Sequence, residues 1–307
     1  MFGKAVVKNM IERSAENEAD RRVFLKAAGV AGLGAVGAGA ALGATSSSAA
    51  AAEITDGAVL NFALNLEYLE AEFYNYAAFG TGLKDKMTGG KGKHGGVVGG
   101  RQVAFATPSI AQYAREIAID ELDHVKFLRS ALGAAKVARP QIDLQKSFTA
   151  AATAAGLIGA GQTFDPFANE NNFLLAAFLF EDVGVTAYKG AAPLVTNKTY
   201  LEAAAGILAV EAYHAGLVRT ALYGKGLQDA VQKLSDARDS LDGKKALDQG
   251  IGTSSVANIV PSDKHGIAFS RSPGQVLNIV YLTPKSVTKG GFFPKGVNGI
   301  VNQSAGK

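Results

Sequence analysis

The stretch Glu121-Leu122-Asp123-His124 has the form Glu-x-x-His, and the same form returns at Glu211-Ala212-Tyr213-His214. Residues three apart share one face of a helix, so each motif directs a carboxylate and an imidazole to one point. Both motifs lie in stretches rich in Ala and Leu, which predicts helices that face a core. A buried carboxylate beside a buried imidazole is costly unless another group compensates for it. Two such pairs facing each other across a bundle therefore indicate a metal site, with two ions expected.

Two further apolar helices complete the pattern. Glu67 interrupts the apolar face of a helix predicted over residues 54–79, and Tyr74 follows it by seven positions. Glu181 and Tyr188 repeat this spacing in a second helix. The chain therefore has a Glu helix followed by a Glu-x-x-His helix, and then repeats that order. This order predicts an all-α fold, a four-helix bundle with one internal repeat.

The repeat supplies one set of inward-facing metal ligands. Its four carboxylates and two imidazoles are Glu67, Glu121, His124, Glu181, Glu211 and His214. Di-iron and di-manganese carboxylate bundles use this arrangement. Oxygen ligands suit Fe, Mn and Mg, whereas imidazole suits Fe, Zn and Cu. We therefore predict a dinuclear centre that accepts Fe or Mn, with Fe favoured, and open positions for O₂ or peroxide.

Several assignments around this set stay open in the sequence. A single Glu-x-x-His motif is more typical of a surface ion pair, and only the repeat argues against that reading here. Glu67 is favoured over Glu70 as the ligand because Glu67 lies on the apolar stripe. Glu70 and Glu72 are expected to be solvated or paired. Tyr74 and Tyr188 are expected either to support the ligands or to be ordinary core tyrosines.

A metal-bound imidazole usually donates its second ring N–H to a nearby acceptor. Asp120 directly precedes Glu121, and Asp182 directly follows Glu181. Both aspartates are therefore candidates for that acceptor. The two remaining histidines, His94 and His265, lie in Gly-rich stretches and are expected to be solvated.

Composition narrows the classes of function. The chain has 307 residues, 48% of them hydrophobic, which is enough for a sizeable core. It contains no Cys, so disulfides, thiolate metal sites, iron–sulfur clusters and Cys nucleophiles are excluded. The formal net charge is +4 without a block of Lys or Arg, so no nucleic-acid partner is expected.

The first 52 residues are predicted to be an export signal and linker. Arg21-Arg22-Val23-Phe24-Leu25-Lys26 precedes a weakly apolar Ala/Gly run from Ala27 to Ala44, which resembles a twin-arginine signal. Asp20 stands where such signals usually have Ser or Thr. The alternative is a membrane anchor, but the run is rich in glycine and a spanning helix needs about 20 strongly apolar residues. We therefore expect a periplasmic or extracellular protein with no membrane span in its mature form.

The rest of the chain divides into a bundle over residues 53–226 and a C-terminal helix and irregular tail over 227–307. The predicted helix starts are Asp56, Thr107, Asp165, and either Asn197 or Thr199. Residues 81–103 are Gly-rich and are expected to form a long surface loop. Residues 276–282 fit a strand or a short helix. The tail is expected to pack on the bundle, or to contact another copy in a homo-oligomer.

At these residues the chain resembles the ferritin-like superfamily and, more narrowly, exported bacterial ferritin-like proteins related to plant desiccation-related proteins. The stretches that carry the resemblance are Asn65–Tyr74, Phe180–Tyr188 and Phe269–Asn278. The resemblance covers about residues 54–300, including the tail. It implies a ferritin-like bundle whose ligands fall on the six positions given above. The name of the narrower family refers to drying stress and describes no reaction.

Three functions fit these observations. The first is an exported dinuclear redox protein that oxidises Fe(II) with O₂ or peroxide, or disproportionates peroxide as a manganese catalase does. The second is a stress-protective or envelope structural protein in which metal holds the bundle together. The third, cage-type iron storage, is disfavoured because the sequence shows no acidic cluster for mineral nucleation.

Overall fold

Four long helices form a bundle in the computed structural model, which describes residues 54–306. They are α1 (Asp56–Phe79), α2 (Pro108–Leu132), α4 (Glu170–Ala191) and α5 (Lys198–Gly224). Three shorter helices are α3 (Lys146–Ala154), α6 (Gln228–Asp239) and α7 (Pro273–Val280). α1 packs mainly on α2, and α4 packs mainly on α5, so each Glu helix lies beside a Glu-x-x-His helix. The predicted all-α bundle is confirmed, and the predicted export signal lies outside the described residues.

The start of α1 differs from the prediction. The N-cap is Thr55, whose hydroxyl accepts a hydrogen bond from the N–H of Ala58. Asp56 is the first helical residue, and its carboxylate accepts hydrogen bonds from the N–H groups of Thr196 and Asn197. Asn197 in turn caps α5, as predicted. Asp56 therefore joins the start of α1 to the start of α5.

The start of α4 was also predicted wrongly. The helix begins at Glu170 after the cap Asn169, whereas Asp165 accepts a hydrogen bond from the N–H of Phe167 in a preceding turn. Thr107 precedes α2 as predicted, but its side chain makes no cap hydrogen bond. Its hydroxyl donates instead to the Glu170 carboxylate at 2.7 Å. A long-range partner thus replaces the local cap bond at Thr107, whereas α4 is capped locally by Asn169.

The Gly-rich segment 81–103 is more ordered than the sequence predicted. It contains a 3₁₀ turn, Asp85–Met87, and a short strand β1, Val97–Val98. β1 pairs in parallel with β2, Ile142–Asp143, and the side chain of Leu83 is buried. The segment is therefore held against the connection that follows α2.

The C-terminal tail packs on the bundle, as predicted. Phe292 is fully buried, and its ring centroid lies 4.9 Å from that of Phe148 and 5.0 Å from that of Phe180. The segment that fitted a strand or a helix is helical, because Ser272 and Gln275 form a capping box at the start of α7. The tail therefore completes the aromatic core.

A buried ion-pair network also anchors the tail. It consists of Asp182, Arg219, Arg238, Asp242, Asp248 and Arg271. Asp182 on α4 accepts hydrogen bonds from Arg219 at 2.8 Å and from Arg238 at 2.9 Å. Asp248 continues the network from Arg238 to Arg271. The prediction that Asp182 accepts from a histidine is therefore wrong.

Helix α5 is long and apolar enough to cross a membrane by length and composition alone. It nevertheless carries Glu211, His214 and Arg219 on its buried side. All three face partners within the bundle, which is the pattern of an amphipathic core helix. The outer side of α5 forms a wide apolar groove with α2, next to exposed Tyr213.

Candidate metal centre

The six predicted ligand side chains converge in the middle of the bundle, and all of them are buried. Their ligand atoms form two groups, each within 4.8 Å: Glu67, Glu121, His124 and Glu211; and Glu121, Glu181 and His214. Glu121 belongs to both groups. The arrangement therefore has two adjacent centres that share one carboxylate.

Both histidines present the same ring nitrogen to the carboxylates. The Nδ1 atom of His124 lies 3.2 Å from Oε2 of Glu67 and 3.5 Å from Oε1 of Glu211. The Nδ1 atom of His214 lies 3.2 Å from Oε1 of Glu121. The two Glu-x-x-His motifs thus face each other across the bundle, as the sequence pattern predicted.

Two tyrosines connect the Glu helices. The Tyr74 hydroxyl on α1 donates a hydrogen bond to Glu181 on α4, and the Tyr188 hydroxyl on α4 donates one to Glu67 on α1. Burial and the neighbouring carboxylates raise the pKa of both phenols well above their usual value. Both tyrosines are therefore neutral donors, and each orients the carboxylate of the opposite helix.

Asp120 orients His214, but the equivalent position in the other half of the repeat has no carboxylate that could orient His124. The Nε2 atom of His214 lies 3.1 Å from Oδ2 of Asp120, which leaves Nδ1 directed at the cluster. Asp120 immediately precedes Glu121, whereas Val210 immediately precedes Glu211. The corresponding position therefore supplies no carboxylate to His124, and the two halves of the centre differ.

The electrostatics of the cluster follow from burial and from its two imidazoles. Burial raises the pKa of Glu67 to about 8 against the opposing effect of His124, and it also raises the pKa of Glu211. Burial acts in the same direction on Glu121, but contacts with both imidazoles prevail and lower the pKa of Glu121 to about 2. Burial lowers the pKa of His214, yet Asp120 and Glu121 raise it to about 11.

The polar atoms of the cluster fit a pair of cations. Six buried atoms in this described region lie near one another but make no hydrogen bond of good geometry: Oε1 and Oε2 of Glu121, Oε1 and Oε2 of Glu211, Oε2 of Glu181, and Nδ1 of His214. Buried carboxylates without partners are costly, and bound divalent metal satisfies such lone pairs. The carboxylates also outnumber the imidazoles by four to two, so once all four are deprotonated, as metal binding requires, even two imidazolium ions would leave a negative charge. The donor set therefore fits a dinuclear metal site.

Comparison with known proteins agrees with this geometry. The ferritin-like domain family matches residues 55–224, which contain all four bundle helices. The chain belongs to the ferritin-like family. This ferritin-like protein is 32% identical over 265 residues to the desiccation-related protein PCC13-62 of Craterostigma plantagineum, covering 80% of this chain and 83% of the relative. It is 26% identical over 262 residues to the ferritin-like catalase Nec2 of Nesocodon mauritianus, covering 79% of this chain and 83% of that relative. No solved structure gave a significant match.

The sequence reasoning missed Glu70. Glu70 and Glu72 were both expected to be solvated or paired, and both are buried in this ferritin-like protein. Glu72 is paired, with Arg139. Glu70 faces the cluster, where burial and then the charge of Glu211 raise its pKa well above the usual value. Its position three residues after Glu67, on the same helical face, was the sequence feature that could have predicted that Glu70 faces the cluster.

Removing a tyrosine hydroxyl is expected to weaken metal binding. Tyr188→Phe keeps the ring but deletes the hydrogen bond to Glu67, so we expect the affinity for Mn(II) to fall about 10- to 100-fold. Calorimetric titration of metal-free protein measures this change. Tyr113→Phe, on the exposed side of α2, is the matched control. Equal affinities in the two variants would contradict the orienting role of Tyr188.

The metal-free protein is expected to lose stability as pH rises. In the folded protein Glu67 holds its proton up to about pH 8, whereas in the unfolded chain it releases the proton near 4.5. The folded state binds more protons in this window, so the free energy of unfolding falls as pH increases. The pKa of His214 is raised from 6.5 to about 11, so His214 also makes the free energy of unfolding fall as pH increases between these two values.

Bound metal is expected to reverse this trend, because its ligands must be deprotonated. The rise in Tm on adding Mn(II) should therefore be larger at pH 8 than at pH 6. Thermal denaturation with and without chelator measures both effects. In Glu67→Gln the pH dependence of the metal-free protein should become shallower. An unchanged slope in that variant would count against the assignment to Glu67.

Proposed function

We propose that this ferritin-like protein is a dinuclear metal oxidoreductase that consumes hydrogen peroxide, with Fe favoured over Mn. The observation that carries the proposal is the set of six buried ligand atoms that make no hydrogen bond and converge from the Glu and Glu-x-x-His helices. The description of one relative as a ferritin-like catalase supports the choice of peroxide.

The redox chemistry requires the metal, and the protein supplies its setting. When bound, a pair of redox-active ions would supply the electron exchange by which one peroxide molecule is oxidised to O₂ and another is reduced to water. Glu121, which belongs to both groups of ligand atoms, would contribute its carboxylate to both metal positions. Tyr74 and Tyr188 fix the carboxylates of Glu181 and Glu67. The surrounding bundle excludes bulk water, which strengthens these polar contacts.

A second candidate is a stress-protective protein in which the same metal pair only stabilises the bundle. The complete burial of Glu67, Glu121 and Glu211 favours it, because a purely structural site needs no route for substrate. The relative described as a desiccation-related protein is consistent with this role. The two candidates share the metal site and differ in turnover.

Turnover of peroxide by the loaded protein separates them. Purified protein is loaded with Fe(II) or Mn(II), and O₂ release and peroxide loss are followed. We expect turnover in the wild-type protein and in Glu116→Ala, a control on the exposed side of α2. We expect none above background in His214→Ala. Bound metal with equal, background-level peroxide loss in all three proteins would instead support the structural role.

We also propose that the protein is exported by the twin-arginine route to the periplasm or beyond. The support is the Arg21-Arg22-Val23-Phe24-Leu25-Lys26 stretch and the weakly apolar run that follows it. Fractionation of cells that express the full chain tests this. The double variant Arg21→Lys/Arg22→Lys should remain in the cytoplasm. Equal export of the variant and the wild-type chain would contradict the route.

A further inference from the structure

The internal repeat of the bundle breaks at Glu70. Glu70 lies three residues after Glu67, and the position three residues after Glu181 is Gly184. A Cβ atom at Gly184 would lie 2.6 Å from Oε2 of Glu211 and 3.5 Å from Oε1 of Glu70. The Glu211 carboxylate therefore occupies the space that a side chain at position 184 would need, and the Glu70 carboxylate lies at ordinary contact distance from that space. The centre has an additional carboxylate on one side only.

A small cavity adjoins this point. It lies between α1, α4 and the tail, and the volume open to a water-sized molecule is about 20 Å³. A single water needs only about 15 Å³ of such volume. The wall contains Glu70, Gly184 and Tyr188, and is otherwise apolar, with Val280 of α7 and Phe292 on the tail side. The cavity can therefore hold one small molecule, with Glu70 as a polar anchor.

Two wall residues connect the cavity to the metal ligands. Gly184 lines the cavity and lies against the carboxylate of Glu211. Tyr188 lines it too, and its hydroxyl donates to Glu67. A molecule in the cavity would be separated from the cluster by a side chain of the centre or by a glycine backbone. The tail, which packs over α1 and α4 at this point, closes the other side.

We propose that this cavity is the pocket from which substrate reaches the centre past Gly184, that it admits one hydrogen peroxide molecule or the water that replaces it, and that Glu70 binds this molecule. The inference rests on the proposed peroxide function. Val280 and Phe292 set the size limit, because they leave no room for an alkyl group. The C-terminal tail thereby gives the centre its selectivity for the smallest peroxide.

Crystallography of the metal-free protein tests the pocket without turnover. Crystals soaked in hydrogen peroxide should show an ordered oxygen atom within hydrogen-bond distance of the Glu70 carboxylate. Glu70→Gln keeps a polar group and should retain that atom, whereas Glu70→Leu should lose it. An empty cavity in the wild-type protein would overturn the proposal, and so would the same oxygen atom persisting in Glu70→Leu.

Substrate size provides a second test in the metal-loaded protein. Val280→Ala widens the pocket, so we expect kcat/KM for methyl hydroperoxide, relative to hydrogen peroxide, to rise about 10-fold. Val276→Ala is the matched control, because Val276 is equally buried on α7 but does not line the cavity. An equal change in both variants would overturn the size limit. A protein that binds peroxide in crystals but turns none over would refute the proposed function while leaving the pocket in place.

Discussion

Glu121→Ala is expected to abolish the binding of both metal ions. Glu121 belongs to both groups of ligand atoms, so one substitution removes a donor from each position. The metal content after loading and dialysis should fall from two ions per chain to fewer than about 0.2, since losing a shared ligand costs each site several kcal/mol. Peroxide turnover should disappear with the metal. Elemental analysis of the dialysed protein measures the effect.

Single substitutions at unshared ligands provide the comparison. Glu181 belongs to one group only, so Glu181→Ala should weaken one position more than the other. Glu116→Ala, on the exposed side of the same helix as Glu121, should keep both ions. Circular dichroism checks that the variants remain helical. Two ions retained in Glu121→Ala would contradict the shared carboxylate.

Asp182→Ala is expected to cause the largest loss of stability. Asp182 accepts hydrogen bonds from Arg219 and Arg238, which are both buried. Removing one partner of a buried ion pair leaves charge without compensation, which costs about 3–5 kcal/mol. Chemical denaturation of the metal-free protein measures the free energy of unfolding. The tail should also become more susceptible to proteolysis, because Asp182 joins α4 to α5 and α6.

An exposed ion pair serves as the control for this substitution. Lys126 contacts Asp123 at 2.5 Å, but both side chains are more than half exposed. Asp123→Ala should therefore change the free energy of unfolding little. Similar losses in Asp123→Ala and Asp182→Ala would contradict the structural importance of the buried network.

The sequence predicted the bundle and the ligand candidates because both depend on local periodicity. Glu67 and Glu181 each interrupt an apolar helical face, and the histidines follow their glutamates by three positions. Spacing alone therefore placed these side chains on inward faces. The tyrosine positions were also visible as a seven-residue repeat, but their cross-helix hydrogen bonds appear only in three dimensions.

Contacts that periodicity does not show account for the predictions that failed. Asp56 and Asp165 have the residue type of helix caps, but Asp56 binds the start of α5 and Asp165 forms a separate turn. Glu70 was expected to be solvated or paired because it does not lie on the apolar stripe that contains Glu67. Glu70 is nevertheless buried, beside Gly184, a residue more than 100 positions away. Such pairings cannot be read from periodicity.

The metal content of the protein isolated from its native source tests the dinuclear centre most directly. Purification without chelators, followed by elemental analysis against protein concentration, gives the number of ions per chain. The buried carboxylates and imidazoles predict two ions of iron or manganese per chain. A chain isolated without metal would contradict the dinuclear centre. So would metal that the Glu121→Ala variant binds as well as the wild-type protein does.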